Sequence, residues 1–150
     1  FQKKIATLGH ALREHETAHQ EREESLLSGL FEILDALENI DESIRTREDE
    51  LDKRAKRLAR NIRSVQKKLI RLLKAHQIVK MEFPDQTADM ATCKVVDTEP
   101  SDTMLDHAII SIVKHGYIRE DTGSVLRKAE VITVLNRSDH PAEAVSLESN

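Results

Sequence analysis

The chain has 150 residues, about one ordinary domain's worth, and 33% of them are charged while only 3% are aromatic and none is tryptophan. Aromatic side chains supply much of the buried apolar area of a round globule, so this composition speaks against one and for long helices that each bury a narrow stripe. The formal net charge of −4 implies no general electrostatic pull toward nucleic acid.

From the N-terminus, Ile5, Leu8, Leu12, His15, His19, Arg22 and Leu26 recur at alternating spacings of three and four. That is a heptad seam with a polar middle, and it predicts a coiled-coil stalk over residues 1–25. The stripe strengthens through Leu30, Ile33, Leu34, Leu37, Ile40 and Ile44 and gives out at Arg45-Thr46-Arg47-Glu48. Thr46 is the expected N-cap of the next helix, with Asp49 or Glu50 in its first turn. Leu51, Ala55, Leu58, Ile62, Val65, Leu69 and Leu72 then follow a strict 4-3-4-3-4-3 spacing with no Pro or Gly between them. This predicts a second helix over roughly 50–76. Two such helices joined by a short turn form a hairpin that cannot bury a two-sided stripe alone, and pairing two hairpins makes a four-helix bundle. Residues 26–76 are therefore expected to be a dimerisation bundle, with Leu30, Leu34, Leu37, Leu51, Leu58, Ile62, Val65, Leu69 and Leu72 as its seam.

Beyond His76 the pattern changes to short β-prone runs and turn signals. Ile78 to Phe83 alternates before Pro84-Asp85, Lys94-Val95-Val96 is short, and Ala108 to Val113 is β-branched and ends at His115-Gly116-Tyr117. Glu99-Pro100-Ser101-Asp102 and Asp121-Thr122-Gly123 read as turns, and Val131 to Val134 as a strand. These runs predict a small antiparallel β-domain over residues 77–136, followed by a mobile tail over 137–150. Gly116 is expected to be structural, permitting a tight turn, and Tyr117 to be the main aromatic core residue of this domain.

His15-Glu16-Thr17-Ala18-His19 fits H-E-x-x-H, the helical zinc-protease motif, in which both His bind metal and the Glu is the general base. Its flanks, Arg13, Glu14, Gln20, Glu21, Arg22 and Glu23, are those of a solvated helix, so no metal site is assigned. The sequence has no Gly-rich phosphate loop, no G-x-S-x-G elbow and no C-x-x-C pair. Cys93 is the lone cysteine, which excludes an intrachain disulfide and suggests a reducing compartment. It reads as a small buried hydrophobe rather than a nucleophile for His107. The basic residues from Lys53 to Lys68 alternate with apolar heptad positions and read as a solvated helix face. No apolar run nears the roughly 20 residues of a transmembrane helix, and Phe1 to Leu12 shows no cleavable signal pattern.

The segment Ile33-Leu34-Asp35-Ala36-Leu37-Glu38-Asn39-Ile40-Asp41-Glu42-Ser43-Ile44 resembles the L-L-P-V-L-D-N-L-E-R-A-L stretch of the GrpE family. Lys114-His115-Gly116-Tyr117 is similar to that family's K-G-Y element, and Val125-Leu126-Arg127-Lys128-Ala129-Glu130-Val131 to its v-L-R-P-A-x-V strand. The helix ending Leu72-Leu73-Lys74-Ala75-His76-Gln77-Ile78 is similar to the one that runs into the family's first strand. The chain departs from the pattern at Gln77, where the family usually has Gly, at Glu42 for Arg, at Lys128 for Pro, and over Asp89 to Val96, where Cys93 and Lys94 replace His and Glu of D-P-x-x-H-E-A-V.

The resemblance implies an α+β homodimer: a stalk helix, a hairpin forming a dimeric four-helix bundle, and a C-terminal β-domain. It also implies a cytoplasmic, non-enzymatic nucleotide exchange factor, without cofactor, that binds the nucleotide-binding domain of a DnaK-type chaperone and speeds ADP release in protein folding and the stress response. The contact surface implied is Val113, Ser124, Arg127 and Thr133; neither nucleic acid nor membrane is an expected partner. Arg127 has a second reading, a surface strand residue paired with Glu130 or Asp121. The alternative function is a GrpE-shaped dimeric scaffold or adaptor without exchange activity.

Overall fold

The computed structural model describes residues 2–136. The chain divides into two compact units, Phe1–Leu72 and Leu73–Asn150; the expected tail, 137–150, lies outside the described residues.

In the first unit, helix α1 runs from Gln2 to Thr46. It crosses the expected boundary between stalk and bundle at residue 25 without interruption; Pro84 is the first proline of the chain, so no residue before it lacks a backbone donor. Leu27, Phe31 and Leu34 are the buried residues of α1. After a single 3-10 turn, Glu48–Glu50, helix α2 spans Lys53–Ala75. Its N-cap is Asp52, whose Oδ1 accepts the N–H of Ala55 at 2.8 Å. The expected cap, Thr46, instead ends α1, its Oγ1 donating to the Ser43 carbonyl at 3.0 Å. Asp caps at least as well as Thr, and the 3-10 turn separates Thr46 from α2. Leu51, expected within the second helix, consequently sits in extended backbone between the turn and α2 (φ −81°, ψ 132°).

At the other end, α2 stops at Ala75, and the Gln77 N–H donates to the Lys74 carbonyl at 3.0 Å. Gln77 has φ 65°, the left-handed conformation that ends many helices and that glycine adopts at no steric cost. Its own carbonyl accepts the Glu120 N–H.

The second unit contains two three-stranded sheets. In the first, β1 (Ile78–Lys80) and β5 (Val125–Arg127) flank β4 (Tyr117–Arg119), all antiparallel. In the second, β2 (Cys93–Glu99) and β3 (Ile109–Lys114) flank β6 (Ala129–Val134). The expected antiparallel pairing holds for β1–β4, β4–β5 and β3–β6, whereas β2 runs parallel to β6. A parallel pair requires a long crossover, and the chain between Glu99 and Ala129, which contains β3, β4 and β5, supplies it. The expected single strand from Val125 to Val131 is divided at Lys128: Val125–Arg127 belongs to one sheet and Ala129–Val134 to the other.

The core of this unit is built on Met81, Cys93, Ala129 and Val131, with Phe83, Ala88, Ile109, Ile112 and Ile118 packed against it. Cys93 is buried there, as a small apolar residue would be. Gly116 is also buried, but its backbone does not need positive φ. A Cβ on it would lie 2.5 Å from Met81 Sδ, 2.7 Å from the Ala129 nitrogen and 2.9 Å from the Arg127 carbonyl oxygen. Glycine is required at 116 by the close approach of neighbouring backbone rather than by a tight turn, and the turn glycine of this unit is Gly123 (φ 72°).

Gln77 and Gly116 therefore predict opposite outcomes for two substitutions. Gln77→Gly relieves about 1–2 kcal/mol of left-handed strain against about 0.5–1 kcal/mol of added chain entropy, so a net gain of about 0.5–1 kcal/mol is expected. Gly116→Ala forces backbone apart and is expected to cost about 1–3 kcal/mol or more. Urea unfolding of both variants checks the pair of signs.

Candidate functional site

Among the described residues no group of three or more His, Cys, Asp or Glu side chains converges to hold a metal ion. His15, Glu16 and His19 lie along exposed α1. What the structure offers instead is surface, and it offers it separately on each unit.

On the helical unit, each helix carries two apolar stripes. One stripe of α1, Leu27, Phe31 and Leu34, is buried, and Ala59 and Leu73 are the buried residues of α2. The other stripe of α1, Leu26, Ile33 and Ile40, is exposed at intervals of seven residues, and so on α2 are Leu58, Val65 and Leu72, each more than half exposed. Among the expected seam residues, Leu34 is buried within the chain itself, whereas Leu30, Leu37, Leu51, Ile62 and Leu69 are half-buried. The seam is thus partly used inside one hairpin and partly uncovered.

A polar cross-link that sequence periodicity did not single out joins the two helices. Asp41 Oδ1 accepts from Arg63 Nε at 2.7 Å across the hairpin, and Asp41 Oδ2 accepts from Arg45 Nη2 at 2.8 Å along α1. The Arg63 hydrogen bond, assisted by Arg45, holds the Asp41 carboxyl below the usual aspartate range against the opposing effect of burial. The signal available in sequence was the spacing Asp41–Arg45, an i,i+4 pair; nothing local marks Arg63 as the second partner.

On the β-unit, Arg127 is turned onto its own domain. Its Nε and Nη2 both donate to the His115 carbonyl, at 3.1 and 2.6 Å, and its guanidinium lies 5.3 Å from the centroid of the Tyr117 ring. Tyr117 is buried and directly opposite Arg127 in the β4–β5 register. Arg127 thereby clamps the bend at His115-Gly116, while the carboxylate of Glu130 approaches Lys114 Nζ at 4.0 Å. Val113 on β3 is 54% exposed and Ser124, in the β4–β5 turn, is exposed. Thr133 is 3% exposed, so a docking chain cannot reach it from the surface of this unit; β6 is the central strand of its sheet. Val113 and Ser124 stand beside different sheets. A groove of about 520 Å³ lies between the end of β1 and β3, lined by Met81, Phe83, Ile110, Ile112 and His115 among others.

Two long helices with uncovered apolar stripes, and a small mixed β-domain with exposed strand and turn residues, define an α+β protein. The chain belongs to the GrpE family, whose model matches residues 8–134, more than four-fifths of its length and parts of both units. That family is one of cochaperones, nucleotide exchange factors rather than catalytic enzymes. No curated protein matches the chain. Among the described residues no helix is long and apolar enough to cross a membrane.

The Asp41 cross-link gives a pH prediction. A carboxyl whose folded pKa is lowered contributes stability above its unfolded pKa and loses it as pH falls through the folded value. Asp41→Asn is expected to cost about 1 kcal/mol at neutral pH, the scale of a partly exposed charge-assisted hydrogen bond. The difference from the unmodified chain should shrink as pH falls below the ordinary aspartate value of 3.8. Urea midpoints of the two proteins across that range check it.

Proposed function

We propose that this chain is a nucleotide exchange factor that acts as a cytoplasmic homodimer, binds the nucleotide-binding domain of a DnaK-type chaperone, and accelerates release of ADP. The observation that carries this reading is the family match, which extends through both the helical hairpin and the β-unit. The homodimer is supported by the exposed heptad stripes at Leu26, Ile33 and Ile40 and at Leu58, Val65 and Leu72. A second hairpin offers such stripes their matching surface.

The mechanism is one of differential binding. A factor that makes or breaks no bond speeds release only if it binds the opened chaperone better than the closed one. A hundredfold acceleration needs about 2.7 kcal/mol of such preference. Val113 and Ser124 are the exposed members of the expected contact surface and carry the proposed recognition. Arg127 then acts through position: by bonding the His115 carbonyl and covering Tyr117 it fixes the bend that follows β3. Thr133 is proposed to support the sheet from within rather than to touch the partner.

Stopped-flow release of a fluorescent ADP analogue from a DnaK-type chaperone tests the reading. Acceleration is expected with the unmodified chain, and at least a tenfold loss with Val113→Glu, whose charge would enter the contact. Binding without acceleration would favour the alternative, a GrpE-shaped adaptor that has lost exchange. Dimerisation has its own test in sedimentation velocity: Leu58→Lys with Val65→Lys is expected to give monomer, since both charges would enter the seam.

A further inference from the structure

We infer that the outer face of α2 is a docking surface for duplex DNA, held through its phosphates without sequence preference. Ten of the 23 residues of α2 are Lys or Arg and none is Asp or Glu. Only Arg63 among them has an ion-pair partner in the described residues; the other nine are exposed. Seven of these, Lys53, Lys56, Arg57, Arg60, Lys67, Arg71 and Lys74, fall within an arc of about 100° at 100° per residue, and they extend over about 32 Å of helix axis. The exposed apolar stripe, Leu58, Val65 and Leu72, is centred about 130° away around the same helix. The proposed dimer seam and the cationic face therefore do not compete for the same surface.

The chain-wide charge of −4 does not cancel this local field. Arg63, which ties α2 to α1 through Asp41, lies at one edge of this arc, and Lys53, Arg71 and Arg57 lie about 80–120° further round the helix from it. Exposed carboxylates of α1 more than a Debye length away, about 8 Å at physiological salt, are largely screened.

The character of the face selects the occupant. It has no aromatic residue to stack on single-stranded bases and no apolar anchor of the kind that carries protein–protein affinity. A membrane surface would take the apolar side of the helix, but α2 is held to α1 beside that side, where Ala59 is buried. Long, mobile cations in a straight row instead match phosphates, whose capture releases condensed counterions. The B-DNA major groove, about 12 Å wide, admits a helix, whereas the deep, narrow groove of duplex RNA does not.

Fluorescence anisotropy of a labelled random-sequence DNA duplex with the full-length chain tests the inference. Binding is expected at low salt, with log K falling against log salt at a slope near −6, the value for about seven phosphate contacts. Lys56→Glu/Arg60→Glu/Lys67→Glu is expected to weaken binding at least tenfold and to reduce the slope by about three. The helical circular dichroism and the ADP-release rate of that variant should match those of the unmodified chain, which separates this inference from the exchange reading. No binding, or equal binding by the variant, would overturn it. So would competition by duplex RNA, a polyglutamate peptide or anionic phosphatidylserine vesicles at least as effective as unlabelled duplex DNA.

Discussion

Two helices that each carry two apolar stripes cannot hide both of them in one hairpin, and the helical unit is arranged around that constraint. A helix presents a given stripe to one neighbour at a time, so the contact of α1 with α2 covers one set and leaves the other in water. Which set is covered depends on how each helix is turned about its own axis. Asp41 favours one choice, because its bond to Arg63 crosses the hairpin while its bond to Arg45 along α1 holds the carboxylate for it. With that rotation Leu27, Phe31 and Leu34 lie inward while Leu26, Ile33 and Ile40 remain exposed. A seam of leucines alone would be tolerant of rotation, since neighbouring apolar stripes differ little in transfer energy. A short charge-assisted bond is directional, and here it supplies the specificity that the apolar residues lack.

The β-unit solves a different problem, the approach of backbone to backbone where the chain passes between sheets. Gly116 lies against the Met81 side chain and the backbone of Arg127 and Ala129, in the stretch where β5 hands over to β6. The same stretch holds Arg127, whose double donation to the His115 carbonyl ties the residue before Gly116 back to β5. Glycine makes the approach possible and arginine keeps it closed. Tyr117, buried under that arginine, is consequently both a core residue and the floor of the clamp.

Periodicity made the helices legible. The 4-3 spacing from Ala55 to Leu72 survives as α2, because a 3.6-residue repeat uninterrupted by Pro or Gly has few other ways to bury its stripe. The same reasoning overran at Leu51, where apolar spacing continues but the backbone does not; caps, not leucines, set a helix boundary. Short strands were legible as β-branched runs, but the parallel pairing of β2 with β6 was not, since it joins residues more than thirty apart through a register that no local pattern encodes. The contact surface was read least well. Thr133 looks like a polar strand residue suited to a surface, yet it is placed on a central strand and buried. Arg127 reads in sequence as a partner contact or as a pair with Glu130 or Asp121, yet its Nε and Nη2 donate to the main chain of its own domain.

Charge repeats that lesson in another form. Summed over the chain, 23 basic and 27 acidic residues nearly balance, and a balance of that kind describes solubility better than it describes any one surface. The basic residues are not spread evenly: ten of them lie on α2 with no acidic neighbour in that helix. Folding into an amphipathic helix then sorts most of them again, onto an arc centred about 130° from the exposed apolar stripe, so that a mixed stretch of sequence becomes a face of one sign. The field felt by an approaching anion is set by this second sorting, over distances of a Debye length or less. Net charge therefore answers the question of general attraction to polyanions and leaves open the question of a local one, which depends on where each cation lies around the helix axis.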